Sequence, residues 1–336
     1  MKTSNHLLRR LTAALLAAVL ALSIALPVFA SDDGDTIYIN SVSDLLSLAR
    51  NCAYDQWSVG KTVILQKDLS LEGMLWEPIP SFSGQFKGNG HTISDLTITG
   101  QYSPAGLFGI VEEQGSIESL SVRGVVSVSD SADTTTGGIV GVNHGTLINC
   151  QFTGVVTGDS EVGGIVGRNE SEGTIDHSTA RAIVTGKSST GGIAGYNLGA
   201  ITGCTNVGSI NTEYPEASLD TDGFTAKMVD YINNKMAAAD NDATNSVTNV
   251  ATDTGGIAGR SSGMILTSVN TGTIGYEHVG YNVGGIVGRT SGYLSGCTNK
   301  GKINGRKDVG GIAGQNYGSI IPVSYTHLRA HETLRH

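Results

Sequence analysis

Gly163-Gly164-Ile165-Val166-Gly167 is one of six copies of a Gly-Gly-Ile-Val/Ala-Gly pentapeptide in this chain of 336 residues. Counted from the second glycine, successive copies are 26, 28, 64, 29 and 26 residues apart. The longest interval is one ordinary period plus an insertion of about 36 residues, so the chain is a repeat protein. The copies start at Gly137, Gly163, Gly191, Gly255, Gly284 and Gly310, after a degenerate copy at Gly106-Leu107-Phe108-Gly109.

The period of the repeat indicates the fold. A period of 26 to 29 residues made of short β-prone runs fits one solenoid coil of about three strands. The repeats lack the 3.6-residue apolar spacing of helical repeats and the Leu-x-x-Leu-x-Leu frame of leucine-rich repeats. We therefore predict an all-β fold, a right-handed single-stranded parallel β-helix, with an N-terminal capping helix and one helical insertion. The glycines are expected where corners need positive φ or where backbone packs too tightly for a Cβ.

Composition agrees with a packed chain that is rich in short strands. Glycine supplies 47 of the 336 residues, charged residues are 15% and aromatic residues are 6%. The hydrophobic fraction of 39% is enough to offset chain entropy, which argues against disorder.

Residues 1–30 have the features of a secretory signal peptide. Lys2, Arg9 and Arg10 precede an apolar run that ends in the small-x-small cleavage site Val28-Phe29-Ala30. Removing these three basic residues changes the net charge from −9 to −12, with 18 Lys and Arg against 30 Asp and Glu. Such a charge disfavours nucleic acids and anionic membranes as partners. We expect a secreted, extracellular or wall-associated protein without a transmembrane segment in its mature chain; an uncleaved membrane anchor is the alternative.

Residues 31–105 are predicted to form an N-terminal cap and the first coils. Ser41-Val42-Ser43-Asp44 resembles a capping box that opens a helix through Arg50. A helix over the first coil would cover its open sheet edges. Strands are expected at Ile37-Tyr38-Ile39, Thr62 to Leu65, Gln85-Phe86 and His91 to Ile98.

An insertion at about 212–253 interrupts the repeats that otherwise occupy 106–322. Its apolar residues recur at helical spacing from Thr225 to about Ala239, which predicts a helix. This helix would either pack its apolar side on the solenoid or form a protruding recognition element. The recurring residues are Phe224, Met228, Tyr231, Ile232 and Met236.

The start of the solenoid resembles a known family. Trp76-Glu77-Pro78-Ile79-Pro80 and the segment from Phe82 to Ile93 are similar to the first coil of bacterial surface proteins with GLUG-motif repeats. The pentapeptides are similar to the GLUG motif itself, and the resemblance covers most of residues 37 to 322. It implies a pectin-lyase-like β-helix in a family of secreted or wall-attached proteins that includes adhesin-like chains and streptococcal IgA-peptidase relatives. It implies no catalytic residues.

Residues 323–336 depart from the repeat. The stretch from Tyr325 to Thr333 resembles the read-through of a sequencing adapter, so we expect a non-native tail and a natural chain that continues past about Pro322. The end of the tail, His331 to His336, approaches the zinc-protease motif. Its second His falls at i+5, whereas sharing a helix face needs i+4, so no metal site is predicted there.

One outward position in each coil directly follows the pentapeptide. We single out Arg168, Tyr196, Arg260 and Arg289 as candidate ligand-binding residues, because Arg260 and Arg289 fall in adjacent coils and could meet an anionic glycan. Ordinary solvated rim residues are the alternative. The full column is Val142, Arg168, Tyr196, Arg260, Arg289 and Gln315.

The next position along each coil is mostly Asn. A stacked turn ladder is predicted there, since Asn hydrogen-bonds turn backbone and tolerates left-handed conformations. An Asn row that binds carbohydrate is the alternative. The ladder residues are Asn143, Asn169, Asn197 and Asn316, with Ser261 and Thr290 in the other two coils.

The four cysteines are expected to be free and mostly buried. Cys150, Cys204 and Cys297 share one column, with His177 and Ser268 expected in the coils between them. Cysteines two coils apart are separated by about 10 Å, beyond the roughly 7 Å limit for a disulfide. Cys52, near the N-terminus, is a poor partner. A Cys/His metal site is the alternative, but its ligands do not converge and lack zinc-type spacing.

These features predict a secreted or cell-surface structural or adhesive rod that binds host or environmental glycans or proteins. One alternative is a polysaccharide lyase or hydrolase, which needs facing carboxylates; another is an accessory stalk of a larger surface peptidase. No phosphate loop, Ser-His-Asp order or calcium repeat occurs, so no cofactor or catalytic residue is predicted. The acids of the repeats are scattered when aligned by coil: Asp159, Glu161, Asp176, Asp253 and Asp308.

Overall fold

The computed structural model describes residues 35–54, 56–128, 134–212, 251–277 and 279–322, and the backbone of Ser324–Tyr325. The predicted signal peptide, the predicted insertion helix and residues 326–336 lie outside the described residues. The chain divides into a unit that ends at Asp35 and a unit from Thr36 to His336, and the elements below belong to the second.

The second unit winds into a right-handed parallel β-solenoid of about nine turns. Neighbouring strands pair in parallel, one coil above the next, in four sheets that we name A to D. In a repeat coil the chain passes through sheets D, C, A and B in that order. The predicted fold class, an all-β right-handed parallel β-helix, is confirmed.

Sheets A and B follow the pentapeptide in each coil. Sheet A contains Thr36–Ile39, Thr62–Leu65, Gln85–Lys87, Ser116–Glu118, Thr146–Ile148, Thr174–Asp176, Ala200–Thr202, Met264–Leu266, Tyr293–Ser295 and Ser319–Ile321. Sheet B contains Leu69–Ser70, Thr92–Gly100, Ser121–Val128, Gln151–Thr157, Thr179–Thr185, Thr205–Asn206, Ser209–Ile210, Val269–Asn270, Thr298–Asn299 and Ser324–Tyr325.

Sheets D and C meet at the pentapeptide itself. Sheet C contains Ile79–Phe82, Phe108–Val111, Val140–Asn143, Val166–Asn169, Ala194–Asn197, Ala258–Ser261, Val287–Thr290 and Ala313–Asn316. Sheet D contains Thr136–Gly137, Ser160–Gly163, Ser188–Gly191, Thr252–Gly255, Tyr281–Gly284 and Lys307–Gly310.

Each repeat coil crosses four sheets, where the sequence predicted about three strands per coil. The difference arises because the pentapeptide is a corner: its first glycine ends a strand of sheet D, and its fourth residue starts a strand of sheet C. Among the described residues, the coils before Thr136 contain no sheet D strand, and Ala105 makes an isolated bridge to Thr136 there. The first coils therefore do have three strands.

Backbone hydrogen bonds at the corner between sheets D and C converge on one carbonyl per coil. The N–H groups of Ile139 and Val140 both donate to the carbonyl oxygen of Ile165, at 2.9 and 3.1 Å. The same two donors meet the equivalent carbonyl in the following coils, at Ile193, Ile257, Ile286 and Ile312. The corner is thus fixed in register from coil to coil.

All three glycines of the pentapeptide are required by close backbone approach. In the copy that begins at Gly191, a Cβ on this residue would overlap the carbonyl oxygen of Ala194. A Cβ on Gly192 would overlap the carbonyl of Gly256 in the next coil, and one on Gly195 would overlap the backbone of Glu161 in the preceding coil. None of these three glycines has positive φ. Of the two reasons predicted for the glycines, close backbone packing therefore applies here and positive φ does not.

Apolar columns fill the interior of the solenoid. The Ile of each pentapeptide and the residue after it are fully buried from Ile139-Val140 to Ile286-Val287. In the first coils Phe82, Phe86 and Phe108 form an aromatic cluster with ring centroids 5.4 to 6.3 Å apart. Burying one such side chain stabilises the fold by about 1.5–3 kcal/mol.

One helix, Val42–Asn51, occurs among the described residues, and it is the predicted capping helix. The Ser41 hydroxyl accepts the N–H of Asp44 at 3.2 Å. The Asp44 carboxylate reaches back to the N–H of Asn40 at 2.9 Å. Leu45 and Leu48 are buried in the core, so the helix contributes its apolar side to the first coils.

The cysteine column alternates with serine. The N–H of Cys150 donates to Ser178 Oγ at 3.1 Å, the N–H of Ser178 donates to Cys204 Sγ at 3.4 Å, and the N–H of Cys204 donates to Ser268 Oγ at 3.2 Å. The expected His177 is therefore wrong for this column. Counted from the second glycine as for Cys150, the equivalent position in that coil is Asp176, and two extra residues in the preceding turn, Ser171-Glu172, shift the column to Ser178.

Burial determines the chemistry of the thiols. All four cysteines are free and buried, as predicted. Desolvation raises the pKa of Cys150 and Cys204 to about 12 and that of Cys52 to about 11, and it also raises the pKa of Cys297. The folded chain therefore holds these groups as neutral thiols.

Replacing Gly195 by Ala should destabilise the fold by about 3 kcal/mol or more, because a backbone overlap cannot be relieved by changing a rotamer. Gly73 is the control, since it has φ +76° and nothing within 4 Å of an added Cβ. Gly73→Ala should cost only left-handed strain, about 1–2 kcal/mol. Urea unfolding of both variants measures the difference, and equal losses would contradict the close-packing account.

Stability should fall as pH rises from about 9, the ordinary thiol pKa, to about 12, the folded-state value for Cys150 and Cys204. In this window the thiols ionise in the unfolded chain but not in the folded chain, so the unfolded chain binds fewer protons and gains stability. The double variant Cys150→Ser/Cys204→Ser puts a hydroxyl group where each of the two thiols stood and removes the two ionisable groups. Its free energy of unfolding should therefore fall less steeply with pH. The test is the urea unfolding midpoint of the unmodified chain and of the double variant as a function of pH. If both midpoints fall in parallel, the thiols are not the cause of the pH dependence.

Candidate functional site

The predicted binding residues lie in register on the outer face of sheet C. One residue per coil lines up at the stacking distance of about 4.8 Å, because each strand of sheet C repeats the same inward and outward alternation. The pairs are Val142 with Arg168, Arg168 with Tyr196, Tyr196 with Arg260, Arg260 with Arg289, and Arg289 with Gln315. We name Arg168, Tyr196, Arg260 and Arg289 the arginine–tyrosine stripe.

Tyr196 is held between two arginines of the stripe. The Cζ atoms of Arg168 and Arg260 each lie 5.2 Å from the centroid of its ring. The Tyr196 hydroxyl lies 3.4 Å from Ser262 Oγ. Cation–π contacts of this kind contribute about 0.5–1 kcal/mol at exposed sites. The stacked rings and guanidinium groups therefore help to hold the side chains of the stripe in one conformation.

Arg168 is neutralised by two carboxylates. Its Nη1 lies 2.9 Å from Glu161 Oε1, and its Nε lies 2.6 Å from Glu170 Oε1. Desolvation opposes the charge of the Arg168 guanidinium, but Glu161 and Glu170 outweigh it and raise the pKa. This arginine therefore serves the structure of the stripe and has few donors left for a ligand.

Arg260 and Arg289 are in a different electrostatic environment. Among the described residues neither has a carboxylate within ion-pair distance. Arg289 stacks on Tyr317, with its Cζ 5.3 Å from the ring centroid, as Arg260 stacks on Tyr196. Each guanidinium thus lies over a tyrosine ring, and among the described residues no carboxylate takes up its N–H donors.

Three acids of the repeats share one column of sheet D, which corrects the expectation that they are scattered. Glu161, Asp253 and Asp308 occupy it in alternate coils. Asp253 accepts a hydrogen bond from Asn282 Nδ2 at 2.6 Å, and Asp308 accepts one from Gln315 Nε2 at 3.0 Å. All three stand three residues before the second glycine of their pentapeptide, so the spacing in the sequence could have revealed the column.

The acids do not form a catalytic pair or a metal centre in the part of the chain that the structure describes. A neutral residue, Ser189 or Asn282, separates the three carboxylates of the column. Asp159 pairs with Lys187 at 2.6 Å, and Asp176 pairs with His177 at 2.8 Å. No group of three His, Cys, Asp or Glu residues is placed there to hold a metal ion.

The predicted Asn ladder runs inside the solenoid. Asn143 Nδ2 donates to Asn169 Oδ1 at 2.8 Å, Asn169 Nδ2 donates to Asn197 Oδ1 at 2.8 Å, and Asn197 Nδ2 donates to Ser261 Oγ at 3.1 Å. These three asparagines are fully buried and do not have positive φ. Asn316, in the last coil, is exposed and accepts the N–H of Gly318 at 2.9 Å.

A second ladder was missed in the sequence. Asn206 Nδ2 donates to Asn270 Oδ1 at 2.8 Å, and Asn270 Nδ2 donates to Asn299 Oδ1 at 2.7 Å. Each residue also accepts the N–H of the glycine two positions later. The signal that could have found it is Asn-x-Gly, which recurs at Asn206, Asn270 and Asn299 as it does at Asn143, Asn197 and Asn316 of the first ladder.

Comparison with known proteins gives partial likenesses. No protein-family model matches the chain, so the resemblance to GLUG-motif proteins stays a prediction from the sequence. An alignment 155 residues long with halomucin of Haloquadratum walsbyi has 31% identity and covers 42% of this chain and 2% of halomucin. An alignment 137 residues long with the “Putative Gly-rich membrane protein” of Evansella cellulosilytica has 29% identity and covers 30% of this chain and 16% of that protein.

One solved structure is also similar. It is the crystal structure of a “putative immunoglobulin A1 protease” from Bacteroides ovatus, with 15% identity and a TM-score of 0.49. The alignment covers 90% of this chain and 81% of that one. Among the described residues of this chain, no helix has the length and apolar character to cross a bilayer.

Proposed function

We propose that this chain is a secreted or cell-surface adhesive β-solenoid that binds glycan or protein ligands through the outer face of sheet C. One observation carries the proposal: four large side chains stand in register on adjacent coils of a sheet whose geometry is fixed from both sides. Large, pre-ordered Arg and Tyr side chains are the types that dominate recognition surfaces.

The interior supports this role by keeping the stripe in place. The Asn ladder lies at the end of each sheet C strand, directly after the stripe residue. Close packing of the third glycine holds the other end of the same strand. A ligand therefore meets a surface whose backbone loses little freedom on binding.

Two observations support the proposed location at the cell surface, one from the sequence and one from a relative. The predicted signal peptide and the GLUG-like repeats both favour export. One relative is named as a membrane protein, and the match spans 30% of this chain. A lyase or hydrolase is less well supported, because the carboxylates described above are already engaged by neighbouring side chains.

The test is binding of the purified chain to an array of glycans and extracellular-matrix proteins. Changing all four stripe residues to Ala should weaken the strongest interaction by about tenfold or more, because hot-spot side chains each contribute 1 kcal/mol or more. The control changes four outward residues of sheet A to Ala instead: Thr146, Thr174, Met264 and Tyr293. No bound ligand, or equal losses in both variants, would contradict the proposal.

A further inference from the structure

We propose that Arg260 and Arg289, with Ser262 and Ser291, form a binding site for a linear acidic polysaccharide that carries carboxylate or sulfate groups. This inference rests on the proposed function and names the ligand class of one half of the stripe. The other half, at Arg168, is excluded because Glu161 and Glu170 already occupy its guanidinium.

The first argument is the uncompensated charge. The chain has 30 acidic and 21 basic side chains, yet Arg260 and Arg289 are direct neighbours in register with no carboxylate partner among the described residues. Like charges opposite each other on neighbouring strands destabilise a sheet. Asp253, which occupies the position equivalent to Glu161, is bonded by Asn282 instead. An external anion would offset the repulsion that the fold leaves in place.

The second argument is the direction in which the two side chains lean. Arg260 stacks on Tyr196 of the preceding coil, and Arg289 stacks on Tyr317 of the following coil. The two guanidinium groups therefore diverge along the solenoid axis and are farther apart than the roughly 4.8 Å between their backbones. Two separated anionic groups on one polymer match this arrangement better than a single small anion does.

The third argument is the surface beside the two arginines. Ser291 Oγ donates to Ser262 Oγ at 3.0 Å, so two hydroxyls lie side by side next to the arginine pair. Tyr317 is 66% exposed and offers an apolar ring at the end of the site. Hydroxyls and an exposed aromatic ring are suited to sugar rings, whereas the guanidinium forks bind carboxylate or sulfate through paired N–H donors.

The test measures binding of the full chain to polygalacturonate, to dextran sulfate and to neutral dextran by biolayer interferometry. We expect binding to at least one acidic polymer, weaker binding at high salt, and no binding to neutral dextran. R260Q/R289Q should weaken binding by about tenfold or more, since charge-assisted hydrogen bonds are lost. Which acidic polymer binds identifies carboxylate or sulfate as the preferred group.

The matched control is R181Q/R306Q, which removes the same two charges from exposed arginines of other faces. It should leave affinity within about twofold, because separated exposed charges are largely screened. Circular dichroism and urea unfolding verify that both double variants keep the fold. Equal losses in the two variants would overturn the inference, and so would equal binding of neutral dextran or equally tight binding of single-stranded DNA.

The outcomes also separate this inference from the proposed function. If no acidic polysaccharide binds but the array finds a neutral glycan or a protein that needs the stripe, this inference is wrong and the adhesive function stands. If the stripe variants bind every ligand as the unmodified chain does, both are wrong.

Discussion

The close approach of backbones at the corner between sheets D and C is the constraint on which the rest of the molecule depends. Three glycines per coil allow three different backbone segments to touch, one in the same coil, one in the next and one in the preceding coil. Two N–H groups of each corner donate to one carbonyl of the next. Because the corner permits a single register, every other position of the repeat stacks on its equivalent, and a column of side chains behaves as one unit.

The polar interior follows from the same stacking. A lone buried Asn would leave donors and acceptors unsatisfied, at a cost of about 1–3 kcal/mol for each group. In a solenoid the amide of one coil bonds the amide of the next, as between Asn206 and Asn270, and the Asn-x-Gly turn satisfies the rest. In the column of cysteines and serines, each side chain likewise accepts a hydrogen bond from a neighbouring coil, although sulfur is a weaker hydrogen-bonding atom. Because a serine separates successive cysteines and the column is buried, the thiols stay unpaired with each other and neutral.

Much of this could be predicted from the sequence, because the repeat is regular wherever its length is constant. Counting from the second glycine placed the stripe and the first Asn ladder on the columns where the structure has them. Counting failed where a turn changes length, as at Ser171-Glu172, and His177 was then assigned in place of Ser178. It also missed the contact between Arg168 and Glu161, since the two residues lie on strands of different sheets that meet at the pentapeptide corner, where the sequence predicted only about three strands per coil.

The contrast between the two halves of the stripe is a consequence of these corners. A corner puts the residue seven positions earlier beside each stripe residue, and Glu161 in that place neutralises Arg168. The equivalent Asp253 in the coil of Arg260 is bonded by Asn282 instead, and Asn282 itself, in the coil of Arg289, carries no charge. The electrostatics of an outward column are therefore decided by a different column on a different sheet. An alignment of stripe residues alone treats Arg168, Arg260 and Arg289 as equivalent, although they are not.

The most direct test of the stacked register is a spin-label distance between Gln85 and Tyr293, which occupy the same outward column of sheet A, six coils apart. Both positions would be changed to Cys and labelled; the native thiols are buried, and desolvation raises their pKa. Six steps of about 4.8 Å predict a narrow distribution near 29 Å between the two backbone positions, although the chain between them is more than 200 residues long. A broad distribution, or one centred beyond about 40 Å, would contradict a single parallel stack at this spacing.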